Sequence, residues 1–342
     1  MIAWRAKPAI VFLEKAMLLL ACGVLLSFGS TLLVKQIRVA LFDKGDKAPL
    51  SALGVKQTKG RLSDLQGVFQ VDSVDNYTVQ RDGKDAFSLF VAHYQDNNQQ
   101  QHRAILFSDT KPSPEKPLDP MALRQLIWQE AAQAIKQHTA ENALVLSWWD
   151  DGQRIHFLSG RDAWLKKPGQ QTFVSPVWEN LRDGLMLASD AEQEPLAKMA
   201  RWLTMYSDAA LSEMRKFFGH SRPVYLLITH DLLLRMGEMA DYGGTSLSFT
   251  SKIVPAHDNL HSDIAQIKQW SQEEGDGNYL VQKEGLNYRV WITPKLSRAT
   301  KNSLVARLLP FVDSLKQLPK GVQLVYQSHW GGYLSVYKVN VD

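Results

Sequence analysis

The chain has 342 residues, 45% of them apolar, with ten Trp and ten Tyr, which is ample for a packed core and excludes wholesale disorder. Its net charge of +4 is spread along the sequence rather than massed, which argues against nucleic-acid binding. A single cysteine, Cys22, excludes an internal disulfide, a thiolate nucleophile in the remainder, a cysteine-based zinc site and covalent c-type haem attachment.

Residues 1–15 form a basic tail with Arg5, Lys7 and Lys15. Ala16 to Val34 follows, 19 residues without a charge. As a helix it would span about 28 Å, close to the hydrocarbon thickness of a bilayer. Lys35, Arg38, Lys44 and Lys47 nearly balance the basic residues before it, so charge alone does not orient the span. A single span with a basic start and a long tail reads as a signal anchor with the tail exported. Leu19 to Cys22 resembles a lipoprotein box, although cleavage there would leave an apolar start where a polar one is customary.

Residues 35–64 read as a juxtamembrane linker, being basic and weakly periodic. Residues 65–115 are expected to form a small antiparallel β layer. Phe69 to Val74 and Tyr77 to Arg81 alternate, Arg81 to Lys84 turns the chain, and Phe87 to Tyr94 returns. Gln95 to Gln101 is a polar loop, and Ala104 to Phe107 a further strand. In this layer His93 and His102 read as surface strand residues.

Residues 116–244 are expected to be a central α/β domain. Asp119 and Pro120 open a helix that runs to about His138, with Leu123, Ile127, Ala131 and Ala134 on one face. Leu144 to Ser147 reads as a short buried strand. Asp151-Gly152 is read as a turn, with a short helix beginning near Gln153. Ala191 to Leu203 and Asp208 to Phe218 have helical spacing. Pro223 to Thr229 has the continuous apolar character of a central strand, and a helix is expected from Leu232 to about Ala240. Residues 245–342 are read as a C-terminal α+β part. It holds strands at Ser246–Thr250, Tyr279–Gln282 and Tyr288–Thr293, and a helix from Ala299 to about Gln317. It ends in a hairpin turning at Gly331-Gly332. The fold class is therefore α/β, a mixed soluble domain with flanking antiparallel layers behind one transmembrane helix.

The segment that carries the functional signal is Leu144 to Arg161, LVLSWWDDGQRIHFLSGR. Trp148, Trp149 and Asp150 emerge at the C-terminal end of a strand, where α/β sheets place binding crevices. One indole can pack inward while the other walls a pocket. Asp150 and Asp151, on an extended segment, would face opposite sides and share neither proton nor ion. His257 and His261 stand at i, i+4, but the glutamate of a zinc-protease helix is missing. No GxSxG elbow, GxGxxG loop or P-loop occurs. The expectation is therefore no catalytic residue, no metal and no cofactor, with binding through Trp148, Trp149, Asp150, Asp151 and Arg161.

Trp148 to Gly152 resembles the WWDYG region of oligosaccharyltransferase catalytic subunits, with Arg161 matching the arginine downstream of it. Pro223 to Gly243 is similar to that family's later strand and helix. Asp151 stands where the motif has tyrosine, Asp231, Arg235 and Met239 do not keep the second-motif spacing, and the polytopic membrane part is absent. The resemblance thus implies a peptide-recognition pocket rather than glycosyl transfer. In architecture, with one span, this soluble part and no haem motif, the chain resembles the HaoB family of hydroxylamine oxidation proteins. That resemblance implies a periplasm-facing, inner-membrane accessory of the multihaem hydroxylamine oxidoreductase or its cytochromes. The alternative it leaves open is a divergent oligosaccharyltransferase-like recognition or transferase subunit.

Overall fold

The computed structural model describes residues 53–61, 67–81, 83–107, 120–174, 176–257, 259–284 and 286–340. These all fall within one unit, residues 51–342. The apolar stretch Ala16–Val34 and the basic tail lie outside the described residues, as do Cys22 and most of the expected linker. Among the described residues no helix is long and apolar enough to cross a membrane.

The first layer is a four-stranded antiparallel sheet in sequence order: β1 (Leu53–Lys59), β2 (Val71–Arg81), β3 (Lys84–Gln95) and β4 (Gln101–Phe107). The two alternating runs expected before the Arg81–Lys84 turn are one strand, β2, because Asp75 and Asn76 between them continue the ladder opposite Val91 and Phe90. β1 falls where composition suggested linker. It is an outer strand whose side chains are mostly exposed, so it carries little hydrophobic signal. At the other edge β4 faces two helices. Gln153 Oε1 accepts from Ile105 N at 3.4 Å and Gln125 Oε1 from Phe107 N at 3.3 Å, so side-chain amides cover an edge that would otherwise lack partners.

Helix α1 (Pro120–His138) packs its apolar stripe of Ile127, Trp128, Ala131 and Ile135 inward. It leads to β5 (Leu144–Leu146), helix α2 (Trp149–Ser159) and the two-residue β6 (Asp162–Ala163), a parallel β-α-β crossover. Helices α3 (Asp190–Thr204) and α4 (Ser207–Phe218) then return the chain to β7 (Val224–Thr229). Ser189 and Glu192 form a capping box at the start of α3. β5 and β7 are parallel neighbours with every residue buried, as expected of strands covered on both faces.

Two stretches expected as single helices are broken. After β7 the chain makes a 3-10 turn, His230–Leu234, then kinks at Arg235 (φ −94°, ψ 0°) into the short α5 (Met236–Asp241). The stretch read as a helix from Ala299 to Gln317 is three single turns separated at Ser303 and at Leu309-Pro310. Leu309 is extended because the following proline disfavours the helical conformation.

A third sheet, order β8-β10-β9, joins β8 (Thr250–Pro255), β9 (Gly275–Glu284) and β10 (Asn287–Pro294) around Val254, Ile267 and Val290. Helix α6 (Leu260–Glu274), absent from the sequence expectation, supplies Ile267. The expected strand at Ser246 starts only at Thr250. The closing hairpin of β11 (Val322–Gln327) and β12 (Leu334–Val339) is present, but a helical turn at His329–Gly332 joins its strands in place of a two-residue Gly-Gly turn. β12 pairs antiparallel with β7, so the central sheet reads β11-β12-β7-β5-β6. The architecture is mixed α/β with antiparallel sheets.

Candidate functional site

Helix α2 opens two residues earlier than the Asp-Gly pair suggests a chain reversal. Trp148 (φ −67°, ψ 158°) is its N-cap, and Gly152 N donates to Trp148 O at 2.9 Å. Asp150 and Asp151 occupy the first turn, where carboxylates suit the helix dipole. Gly152 is required by a close approach and not by a turn. A Cβ built there would stand 1.9 Å from the Leu165 carbonyl oxygen. Gly160 (φ 72°) ends the helix in the left-handed conformation that glycine adopts without penalty.

The helical start changes what the two aspartates do. They sit three and four residues before Arg154, on one face, and that guanidinium reaches both: Asp151 Oδ1 at 2.8 Å and Asp150 Oδ2 at 3.4 Å. Asp150 Oδ2 also pairs with Arg235 Nη2 at 2.8 Å, across from the kink after β7. Thr229 Oγ1, at the end of β7, donates to Asp151 Oδ2 at 2.9 Å. Arg235 continues to Glu238 Oε2 at 3.4 Å. Glu238 Oε1 accepts from the Trp149 indole at 3.0 Å and from Thr172 Oγ1 at 2.6 Å. Beside this group Asp231 pairs with Arg124 of α1 at 3.1 Å and accepts from Tyr333 Oη at 2.6 Å.

Four carboxylates thus meet three guanidiniums, and Asp151 is the carboxyl whose surroundings most oppose its charge. Burial, reinforced by the adjacent Asp150 charge, pushes its carboxyl up from 3.8 to about 8 against the pull of Arg154. Burial also opposes the charge on Asp150, but Arg235 and Arg154 together hold that carboxyl below its ordinary value.

The indoles take no part in a pocket wall. Trp148 and Trp149 are both 0% exposed. Trp148 meets Tyr242 edge-on at 5.7 Å, and Trp149 meets Trp178 at 5.6 Å, with the Arg235 guanidinium 4.3 Å from the Trp178 ring centre. The expectation that one indole faces a crevice is corrected. The strand ends against the elements that follow β7, which cover the place where an open α/β sheet would leave its crevice.

Arg161 is not brought to the other four candidates. It lies past the far end of α2, donating to Thr139 Oγ1, Thr139 O and Lys136 O, all at 3.1 Å, which ties that end to α1. Nearby, a cleft of about 510 Å³ runs between α1 and the Gly67–Val68 segment, lined by Gln129, Gln133, Lys136 and Leu158 among others. None of the Trp-Trp-Asp-Asp residues lines it.

The histidines also differ from expectation. His93 is part-buried and pairs with Asp75 Oδ2 at 2.8 Å. His102 is buried, on the face of the sheet that α2 covers, rather than at the surface. His257 lies before α6 and pairs with Asp263 at 2.7 Å, so it shares no helical face with His261. Among the described residues, the group of His and carboxylate side chains close enough together to hold an ion is Asp96, His102 and His156, whose ligand atoms lie within 4.8 Å of one another.

Sequence reasoning missed Arg154, Thr229, Arg235 and Glu238. The spacing of Asp150 and Asp151 to Arg154 was a usable signal once the motif was read as helical. The contacts from Thr229, Arg235 and Glu238 span 78 to 89 residues and left no local trace.

Among curated proteins no sequence matches the chain. The crystal structure of the C. jejuni PglB C-terminal domain is similar at a TM-score of 0.36 and 12% identity, covering 62% of this chain and 99% of that one. A likeness of that size carries no argument. The profile of the family described as HaoA-associated protein HaoB matches residues 15–339, nearly the whole sequence. The chain belongs to the HaoB family of HaoA-associated proteins.

Proposed function

We propose that this protein is a membrane-tethered, non-catalytic accessory of hydroxylamine oxidation that acts by binding HaoA, the hydroxylamine oxidoreductase. The observation that supports a non-catalytic role is the engagement of every carboxylate of the strand-end network by the protein itself. A catalytic carboxylate must offer an atom to substrate. Here Asp150, Asp151, Asp231 and Glu238 are each engaged by arginine, threonine, tyrosine or tryptophan of the protein itself. Such a network fixes α1, α2, β7 and the C-terminal hairpin relative to one another.

Trp148, Trp149, Asp150 and Asp151 then serve partner binding through the elements they brace, and Arg161 by closing α2 onto α1 beside the cleft. The uncharged Ala16–Val34 stretch is the tether, in the inner membrane, and the folded body faces the periplasm. Full-length protein in detergent, mixed with purified HaoA and resolved by size exclusion, should carry haem absorbance into a peak larger than either component. Separate elution over the accessible concentration range would overturn the binding reading. In spheroplasts, protease added from outside should degrade the body; protection would overturn the orientation.

A further inference from the structure

His156 sits one turn before the end of α2. Its Nδ1 lies 3.0 Å from the Arg161 carbonyl oxygen, a contact that only an N–H can make. Nδ1 therefore holds the proton, and Nε2 keeps a free lone pair. That Nε2 is buried, with no hydrogen-bond partner among the described residues. His156 as a whole is 6% exposed, so water does not readily reach the unfilled acceptor. A ring whose Nδ1–H is fixed by a backbone carbonyl, with Nε2 left bare, is the arrangement seen in metal-ligating histidines.

Across from it stand two groups from the β3–β4 hairpin. The His102 ring is 5.0 Å from the His156 ring, centre to centre and edge-on. His102 Nε2 is 3.0 Å from Asp96 Oδ2. Asp96 Oδ1 is occupied by the backbone N–H groups of Asn98 and Gln100, both at 2.9 Å, which leaves Oδ2 turned toward the histidines. Phe69 stacks on Tyr94 at 5.2 Å and leans on His156 at 5.1 Å, giving the group an apolar surround.

We propose that Asp96 Oδ2, His102 Nε2 and His156 Nε2 bind one divalent transition-metal ion, Zn²⁺ being the best fit. Two imidazoles and one carboxylate select such ions over Ca²⁺ or Mg²⁺. Bond lengths of ~2.0–2.2 Å put tetrahedral ligand atoms ~3.3 Å apart. Asp96 Oδ2 and His102 Nε2 already meet that spacing at 3.0 Å, while the overall spread of up to 4.8 Å requires His156 and this pair to draw together on binding. On binding, the His102 proton moves from Nε2 to Nδ1, and no net proton is lost. Lys166 opposes a cation, but it is itself paired with Asp162 at 3.0 Å. Three protein ligands leave one position for water. The ion would pin the β3–β4 loop to the helix that carries the Trp-Trp-Asp-Asp motif. This site departs from the sequence expectation of no metal, and it does not depend on the HaoA-binding reading.

The test takes the full-length chain in detergent, strips it with chelator and titrates it with Zn²⁺ alone, reading bound metal per chain and thermal unfolding. We expect one ion per chain. His156→Ala and Asp96→Asn should each weaken it by at least ~100-fold, beyond the loss found for outer-sphere partners alone. Asp96→Asn keeps an oxygen for the Asn98 and Gln100 amides, so it tests the site even if His156→Ala fails to fold. The exposed His220→Ala should bind as the wild type does. No bound zinc in the wild type, or binding unchanged in Asp96→Asn, or binding lost instead in His257→Ala, would overturn the assignment.

Discussion

The two ends of helix α2 handle buried polarity in opposite ways. At the N-terminal end Asp150, Asp151 and Arg154 are matched by Thr229, Arg235 and Glu238. Near the C-terminal end His156 Nε2 is left bare beside a His–Asp pair. Both regions are buried, both are polar, and both join the helix to elements distant in sequence. The difference lies in the acceptors. The carboxylates at the first end are frame, because each is already engaged by an arginine or a hydroxyl or indole donor of the protein, and the atoms left over there, Arg154 Nε and the Trp148 indole N–H, are donors. A bare acceptor that burial keeps dry is costly to the protein alone, and its cost is relieved when a ligand arrives.

The largest effect that should separate the two regions comes from breaking the filled one. Asp150→Ala leaves Arg235 buried without its closest carboxylate and should destabilise the protein by about 3–5 kcal/mol, read by denaturant unfolding. Gly152→Ala forces a Cβ onto the Leu165 carbonyl and should cost ~3 kcal/mol, the upper part of the range for overpacking. A third variant sharpens the account of charge. Because the folded-state value of Asp151 is raised from 3.8 to about 8, the native protein keeps a proton that the unfolded chain has released. Stability should therefore fall as pH rises from about 4 towards 8 and then level off. Asp151→Asn should remove that slope, so that it gains on the wild type as pH rises; an unchanged slope would mean the cluster carries its proton elsewhere. The smallest effect is expected from the exposed Lys316–Asp313 pair at 3.0 Å, where Lys316→Ala should change stability by less than ~1 kcal/mol.

How far the sequence led can be read from the same helix. Strands β5 and β7 were legible because continuous apolar runs bounded by turn residues mark buried central strands. The β2–β3 hairpin and the closing β11–β12 pair were legible through alternation. The start of α2 was not, because Asp-Gly has strong turn chemistry, and only the Leu165 carbonyl above Gly152 reveals the other reason for a glycine there. That misreading placed Asp150 and Asp151 on opposite faces and hid their shared arginine. His102 was read as exposed because strand alternation does not say which face a helix will cover. The group of Asp96, His102 and His156 draws on a loop, a strand and a helix with no characteristic spacing, and local sequence reasoning has no means of assembling it. The resemblance to the HaoA-associated family was carried by the uncharged Ala16–Val34 stretch, the WWDDG string and the missing haem motif taken together.

The most direct measurement is the thermal unfolding midpoint of the full-length protein with and without Zn²⁺, for the wild type, Asp150→Asn and His156→Ala. The account predicts that Asp150→Asn starts several degrees lower yet is still raised by zinc, because its frame is weakened while its site is intact. His156→Ala should show no zinc response. Zinc raising all three equally, or none of them, would contradict the division between a filled network and an open site.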